Sequence, residues 1–309
     1  MKQEKSASKK YRRQSQMKDI FHRLKKNKGS MVGLIIIAIL ILIMIGTLFI
    51  PYEKVTAMDM VNRFKAPSLE HPFGTDDMGR DIFIRTLYGT RYSFSIGFGA
   101  TLLAAVIGVI IGSISGFYGG YVDDVLMRLT DVLSSIPAML LGMVIVSILG
   151  GSVANVIFAV GICSVQYYIR ITRASILAIR GQEYVEAAKV IGMSDLKIIF
   201  TQVLPNALSP IIVTFSATIG IAILVSASLS FIGLGVSAPT PEWGALVSSG
   251  RNVLRTAPYV SILPGLFIMI TVLSFNILGD GLRDALDPKL KRWEGITCLE
   301  KRKRKKQLL

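Results

Sequence analysis

The chain is 309 residues long and 51% apolar, with a mean hydropathy of +0.55, too rich in hydrocarbon for a soluble domain of this size. Its net charge of +15 needs no nucleic acid, because the basic residues lack an interleaved aromatic platform or a nucleic-acid-binding motif. Two cysteines, Cys163 and Cys298, exclude a disulfide framework and lack the C-x-x-C spacing of a metal site.

Residues 1–30 form a basic, cytoplasmic N-tail that includes Lys9, Lys10, Arg12, Arg13, Lys25, Lys26 and Lys28. Anionic headgroups attract such juxtamembrane clusters. Residues 31–50 carry no charge, and twenty helical residues are about 30 Å long, the thickness of a hydrocarbon core. The eight Ile and four Leu in this run each favour insertion by roughly 0.3–0.6 kcal/mol, which predicts a first transmembrane helix. A cleaved signal peptide needs a shorter apolar core followed by a small-x-small site, and the run has neither. Residues 51–92 read as an extracytoplasmic segment with turn signals at Ala66-Pro67, His71-Pro72 and Phe73-Gly74.

Further apolar blocks at 93–117, 134–150, 153–171, 208–231 and 260–281 are richer in Gly, Ser and Pro, as expected of helices packed on helices. Pro137 and Gly150-Gly151 crowd the block at 134–150. The expected fold is therefore all-α and polytopic, with six transmembrane helices. Residues 93–282 form a five-helix core and residues 283–309 a basic cytoplasmic C-tail ending in KRKRKK. With both termini inside, 27 of the 35 Lys and Arg face the cytoplasm and 8 face out, the orientation that the positive-inside rule favours.

In the second span Ala104, Gly108, Gly112, Gly116 and Gly120 recur every four residues, which makes one small-residue face. Packing within the subunit and a dimer seam both fit this face. Residues 231–244, dense in Gly and Pro, predict a tight non-helical cap, with Trp243 and Tyr259 placed to anchor at the interface. Asn276 and Asp280 lie one turn apart on one helical face and suit gating or packing. The stretch Gly74 to Asp81 holds Asp76, Gly79 and Arg80. A plain turn held by Asp–Arg pairs fits this stretch. It lacks the carboxylate spacing of an EF-hand loop. No metal site, catalytic triad or phosphate-binding loop is expected, and His22 and His71 fall on opposite sides of the membrane.

Residues 183–205 (EYVEAAKVIGMSDLKIIFTQVLP) stand out on the cytoplasmic side. Good helix formers carry Glu183 and Glu186 in the first turn, at the positive end of the helix dipole. Gly192 falls where a C-terminal cap wants positive φ. Ser194 is placed to cap a second helix from Asp195, with Leu196, Ile199 and Phe200 on one side and Leu204-Pro205 closing it. The Ala187-Ala188 pair makes the first helix slim enough to enter a groove on a soluble partner. The rival reading is a helix lying on the lipid surface, against which the two carboxylates argue.

The E-A-A, three residues, G, then L-P pattern resembles the cytoplasmic motif of permease subunits of binding-protein-dependent ABC importers. Residues 71–81 (HPFGTDDMGRD), 88–93 (YGTRYS), 229–235 (LSFIGLG) and 239–244 (PTPEWG) are similar to its C-type branch, from dipeptide and oligopeptide importers. The resemblance runs over about 20–293. It implies a type I importer fold in the cell membrane and no enzyme activity in this chain. A second permease subunit, two ATPase subunits that carry the ATP and Mg, and an extracytoplasmic peptide-binding protein are its implied partners. The same resemblance makes Glu183, Glu186, Ala187, Ala188, Gly192, Leu204 and Pro205 the ATPase-coupling loop, and it makes the stretch with Gly74, Asp76, Gly79, Arg80 and Asp81 an outside motif that docks the delivery protein or orders the next helix. Nickel or metal-chelate importers have similar C-type subunits, so that cargo remains an alternative. A secondary carrier acting alone is a further rival, but it leaves the helix–glycine–helix loop without a purpose.

Overall fold

A computed structural model describes Phe21 and residues 23–286. The expectations for residues 1–20, for His22 and for the C-tail beyond 286, Cys298 included, lie outside the described residues. In chain order the α-helices are α1 (Lys28–Gly46), α2 (Tyr52–Thr56), α3 (Ile82–Tyr118), α4 (Gly120–Ser135), α5 (Ala138–Leu149) and α6 (Val153–Leu177). They continue with α7 (Glu183–Val190), α8 (Asp195–Ile198), α9 (Leu204–Phe231), α10 (Trp243–Ser249) and α11 (Tyr259–Leu286). The protein is all-α and multi-pass.

Among the described residues, five helical stretches are long and apolar enough to cross a membrane: Lys28–Phe49, Ile82–Tyr118, Val153–Leu177, Asp195–Phe231 and Tyr259–Leu286. The sixth expected span is not one straight helix. Pro137 pushes Ile136 into an extended conformation (φ −90°, ψ 123°), and α4 and α5 meet at an 84° bend. The twelve residues of α5 reach only about 18 Å, so α5 cannot span a bilayer alone. The second span also starts further upstream than its hydropathy suggests. Asp81 accepts a hydrogen bond from the Ile84 N–H at 3.0 Å, and this cap starts α3 at Ile82.

The small-residue ladder packs inside the subunit, against α6. A Cβ added at Gly108 would lie 2.3 Å from Cβ of Tyr168, one at Gly112 2.6 Å from the Ile169 carbonyl, and one at Gly116 2.9 Å from Cβ of Ile176. Gly120 does not join the ladder; it opens α4 and has open space around it. Beside this pair, α9 lays Ile219, Ile223 and Ala227 against Phe94 of α3 and Phe275 of α11. Val32, Ile35, Ile39 and Leu42 on α1 are exposed, as suits side chains that face lipid.

The outer cap is tied in more deeply than expected. Trp243 is fully buried and its Nε1 donates to the Thr86 carbonyl of α3 at 2.8 Å. An indole reaches into a bundle when its N–H finds such an acceptor, so Trp243 is a core residue and not an interfacial anchor. Tyr259, half-buried, donates its hydroxyl to the Phe64 carbonyl at 2.8 Å. The turn before α10 holds Glu242, also fully buried. Its Oε2 accepts from the Ala245 N–H at 2.9 Å, and its Oε1 accepts from Ser93 Oγ at 3.5 Å. Desolvation pushes the Glu242 carboxyl above the ordinary glutamate range, against the opposing pull of its N–H and hydroxyl donors.

Two outcomes follow for stability in detergent, read as melting temperature. Gly108→Ala forces α3 off α6 and destabilises by roughly 1–3 kcal/mol, whereas Gly46→Ala, with nothing within 4 Å, leaves stability unchanged or raises it. Glu242→Gln retains the cap and Glu242→Ala loses about 1 kcal/mol or more. Because the raised pKa favours the protonated folded state, wild type matches Glu242→Gln in acid. It falls behind as pH climbs through and above the ordinary glutamate value.

Candidate functional site

Helix α7 buries two of its residues against the bundle. Val185 and Ala188 are buried in one cluster with Phe117 of α3, Ile176 of α6, and Ile198, Ile199, Val203 and Ala207. Glu183, Tyr184, Glu186, Ala187, Lys189 and Val190 are exposed. The helix ends in a Schellman motif. Gly192 has φ +76°, its N–H donates to the Lys189 carbonyl at 2.9 Å, and the Met193 N–H donates to the Ala188 carbonyl at 3.1 Å. Gly192 touches nothing through a would-be Cβ, so backbone handedness alone explains the glycine.

The second half differs from expectation in three respects. Ser194 occupies the cap position of α8, but its side chain makes no capping bond. Leu196 and Phe200 are 61% and 60% exposed, and the inward stripe is Ile198, Ile199 and Val203. A π-turn over Ile199–Val203 holds an extra residue and shifts the phase of the helix. Leu204-Pro205 does not close the segment. The chain runs through the π-turn into α9, and Pro205 sits in its first turn, where a missing N–H is tolerated. Asn206 Nδ2 donates to the Tyr184 hydroxyl at 3.4 Å, a further tie between α7 and α9. The whole element is thus a capped helix fused to the base of a 28-residue helix.

On the other side, Gly74, Asp76, Gly79, Arg80 and Asp81 build a brace. Buried Asp76 accepts at Oδ1 from the N–H groups of Met78 and Arg80, both at 2.9 Å, and at Oδ2 from Arg80 Nε at 2.7 Å. Arg85 Nε lies 3.8 Å from the same carboxylate, and its Nη1 donates to the Val55 carbonyl at 3.2 Å. Asp81 caps α3 with one oxygen and meets His71 Nδ1 at 2.8 Å with the other. Gly79 adopts φ +69° and its would-be Cβ falls 1.7 Å from the Asp59 carbonyl, so no other residue fits. A Cβ added at Gly74, at φ +74°, would lie 2.6 Å from the Lys65 carbonyl. The turn is held by Asp–Arg pairs and orders the start of α3.

Asn276 and Asp280 are both exposed on α11. Among the described residues they lie off the buried face of α11, which runs through Thr271, Ser274, Phe275 and Gly279. Asp131 pairs with Arg170 at 2.8 Å. Four charged residues were given no individual role in the sequence: Arg85, Glu242, Asp123 and Arg173. Their signal was a charge set at the edge of an apolar block, where it reads as an ordinary loop residue.

Asp76→Ala leaves Arg80 and Arg85 buried without their shared carboxylate. It should cost about 3–5 kcal/mol and lower the yield of folded protein in membranes. Asp77→Asn, at a half-exposed carboxylate, should stay within about 0.5 kcal/mol of wild type.

Residues 108–292 match the family described as binding-protein-dependent transport system inner membrane component. Residues 15–67 match the N-terminal transmembrane domain of oligopeptide transport permease C. The chain is 44% identical over 277 residues to the dipeptide transport system permease protein DppC of Alkalihalophilus pseudofirmus, covering 90% of this chain and 91% of that one. It is 43% identical over 274 residues to the glutathione transport system permease protein GsiD of Escherichia coli O6:K15:H31, with 88% and 90% covered. In fold it is similar to the MetNI methionine ABC transporter in inward-facing conformations, with a TM-score of 0.54 and 17% identity over 67% of this chain and 96% of that one. A braced, multi-pass bundle with a capped helix–glycine–helix at its base, matched over most of its length, belongs to the inner membrane components of binding-protein-dependent transport systems.

Proposed function

We propose that this chain is the permease subunit of an ATP-driven importer that carries di- and oligopeptides into the cytoplasm. It pairs with a second homologous permease, rests on two cytoplasmic ATPases that bind the ATP and Mg, and receives cargo from an extracytoplasmic peptide-binding protein. The observation that carries this reading is the fusion of α7, Gly192 and α8 to the base of α9. An element that is capped at one end and continuous with a long helix at the other transmits displacement without bending. Its outward face carries Glu183, Glu186 and Ala187 beside the exposed apolar tips Val190, Ile191, Leu196 and Phe200, a surface suited to a protein groove. The Lys and Arg distribution supports a cell-membrane location with both termini in the cytoplasm.

Cargo is read from relatives. The dipeptide and glutathione permease proteins that this chain resembles are both named for peptides, which favours peptides over metal chelates. Asp76, Gly79 and Arg80 act as a scaffold for the outer segment, and a docking role for that segment falls to the surface around them. Asn276 and Asp280, exposed on α11, suit a gate or contact at the second permease.

The test is uptake of labelled di- to pentapeptides by cells carrying wild type or Gly192→Val, with nickel uptake measured alongside. A β-branched residue at φ +76° is strained by roughly 1–3 kcal/mol. Peptide uptake and recovery of the ATPase with this subunit should fall together, about tenfold, while the subunit still reaches the membrane. Undiminished uptake without bound ATPase would overturn the coupling reading, and nickel uptake in place of peptide would overturn the cargo.

A further inference from the structure

Helix α4 is held to the bundle in an unusual way. Among its residues only Asp123 and Thr130 are buried. Tyr121, Val122, Val125, Leu129 and Val132 are exposed, and Met127 adds a partly buried contact. Its firm grip is therefore polar. Arg173 of α6 donates to Asp123 through Nε at 2.6 Å and Nη2 at 2.5 Å, and Ser115 of α3 donates its hydroxyl to the same carboxylate. Two turns further on, Asp131 meets Arg170, but both are about half exposed, and such pairs hold weakly.

The end of α3 that contributes Ser115 is also where α7 is attached. Phe117 packs with Val185 and Ala188, and Lys189 Nζ stands 5.2 Å over its ring. Arg180, from the link between α6 and α7, donates through Nη1 to the Gly116 and Phe117 carbonyls at 3.1 and 3.5 Å. That satisfies acceptors which a helix C-terminus leaves open. Contacts thus run from α7 to the end of α3, from there through Ser115 to Asp123, and from Asp123 to Arg173. Beyond α4 lies the 84° bend into α5, a joint at which α4 could swing on its own.

We infer that the Asp123–Arg173 pair is a positioning contact that makes α4 move with α3 and α6 when α7 is displaced, so that motion of the coupling element reaches the broken span. The inference rests on the importer reading above. The bidentate geometry fixes orientation as well as distance, which an apolar contact of similar size would not. With the pair broken, displacement of α7 still reaches α3 and α6 through Phe117 and Arg180, and α4 lags behind.

The experiment uses the complete complex, purified through this subunit with its partner subunits and placed in lipid vesicles. Uptake of labelled dialanine is measured per ATP hydrolysed. Asp123→Asn should assemble and hydrolyse ATP, with uptake per ATP lowered about tenfold, and the swapped pair Asp123→Arg with Arg173→Asp should restore part of the loss. A cargo-independent arm places spin labels at Leu129→Cys on α4 and Ala178→Cys beyond α6, in a Cys298→Ser background. The label separation should stay single and narrow with and without ATP in the native pair, and broaden in Asp123→Asn. If Asp123→Asn does not assemble, Asp123→Glu, which displaces the carboxylate by one methylene, is measured in both arms. An unchanged uptake ratio together with an unchanged label separation overturns the inference. If the wild-type complex hydrolyses ATP without importing dialanine, the cargo reading fails, and the label separation alone then decides the role of the pair.

Discussion

The close backbone approach of α3 to α6 is the constraint on which the rest of the subunit depends. Hydrocarbon side chains gain little by leaving lipid for a protein surface of equal polarity, so helices in a bilayer associate through contact area and small residues. Gly108, Gly112 and Gly116 remove the side chains that would separate the two axes. With these helices in place, Ile176 and Phe117 meet at one end of the pair and form the floor on which α7 sits. At the other end of α3, the Asp81 cap and the Thr86 carbonyl receive the brace and the outer cap. One long helix therefore carries an ordered element at each end, and its contact with α6 keeps the two in fixed relation.

Charge in the subunit is placed where backbone or paired side chains can absorb it. Asp76 is surrounded by N–H donors, Glu242 closes the first turn of α10, and Asp123 meets a guanidinium in two-point contact. A buried carboxylate with a missing partner is a large liability. Asp76 instead fixes a local turn before α3, while Glu242 and Asp123 each fix a junction between elements far apart in sequence. Apolar packing holds the helices side by side, and these carboxylates set where the connecting segments start and stop.

Much of this was legible in the sequence, because long uncharged runs and a four-residue glycine period report directly on helices and their close faces. The handedness required at Gly192 was readable from its place after a run of helix formers, and the Asp–Arg turn at 74–81 from its composition. What was not legible is the tertiary use of single residues. Trp243 looks like an interfacial anchor until a carbonyl of α3 is brought to its indole. Pro205 looks like a stop until a π-turn supplies the slack that lets a helix continue through it. Asp123 and Arg173 lie fifty positions apart, and no local pattern links them. The block at 134–150 was expected as a span crowded by Pro137, and the 84° bend there arises because a residue before proline leaves helical geometry.

The π-turn at Ile199–Val203 also sets a phase. Each residue added to or removed from a helix turns everything beyond it by about 100°. The outer face of α7 and the lipid-facing and inward-facing sides of α9 are related by the count of residues between Gly192 and Leu204. Within that interval Ile198, Ile199 and Val203 point inward, and Leu196 and Phe200 point outward. Its length cannot vary by one without rotating the exposed face of α7 relative to α9, so in this stretch the spacing itself carries information.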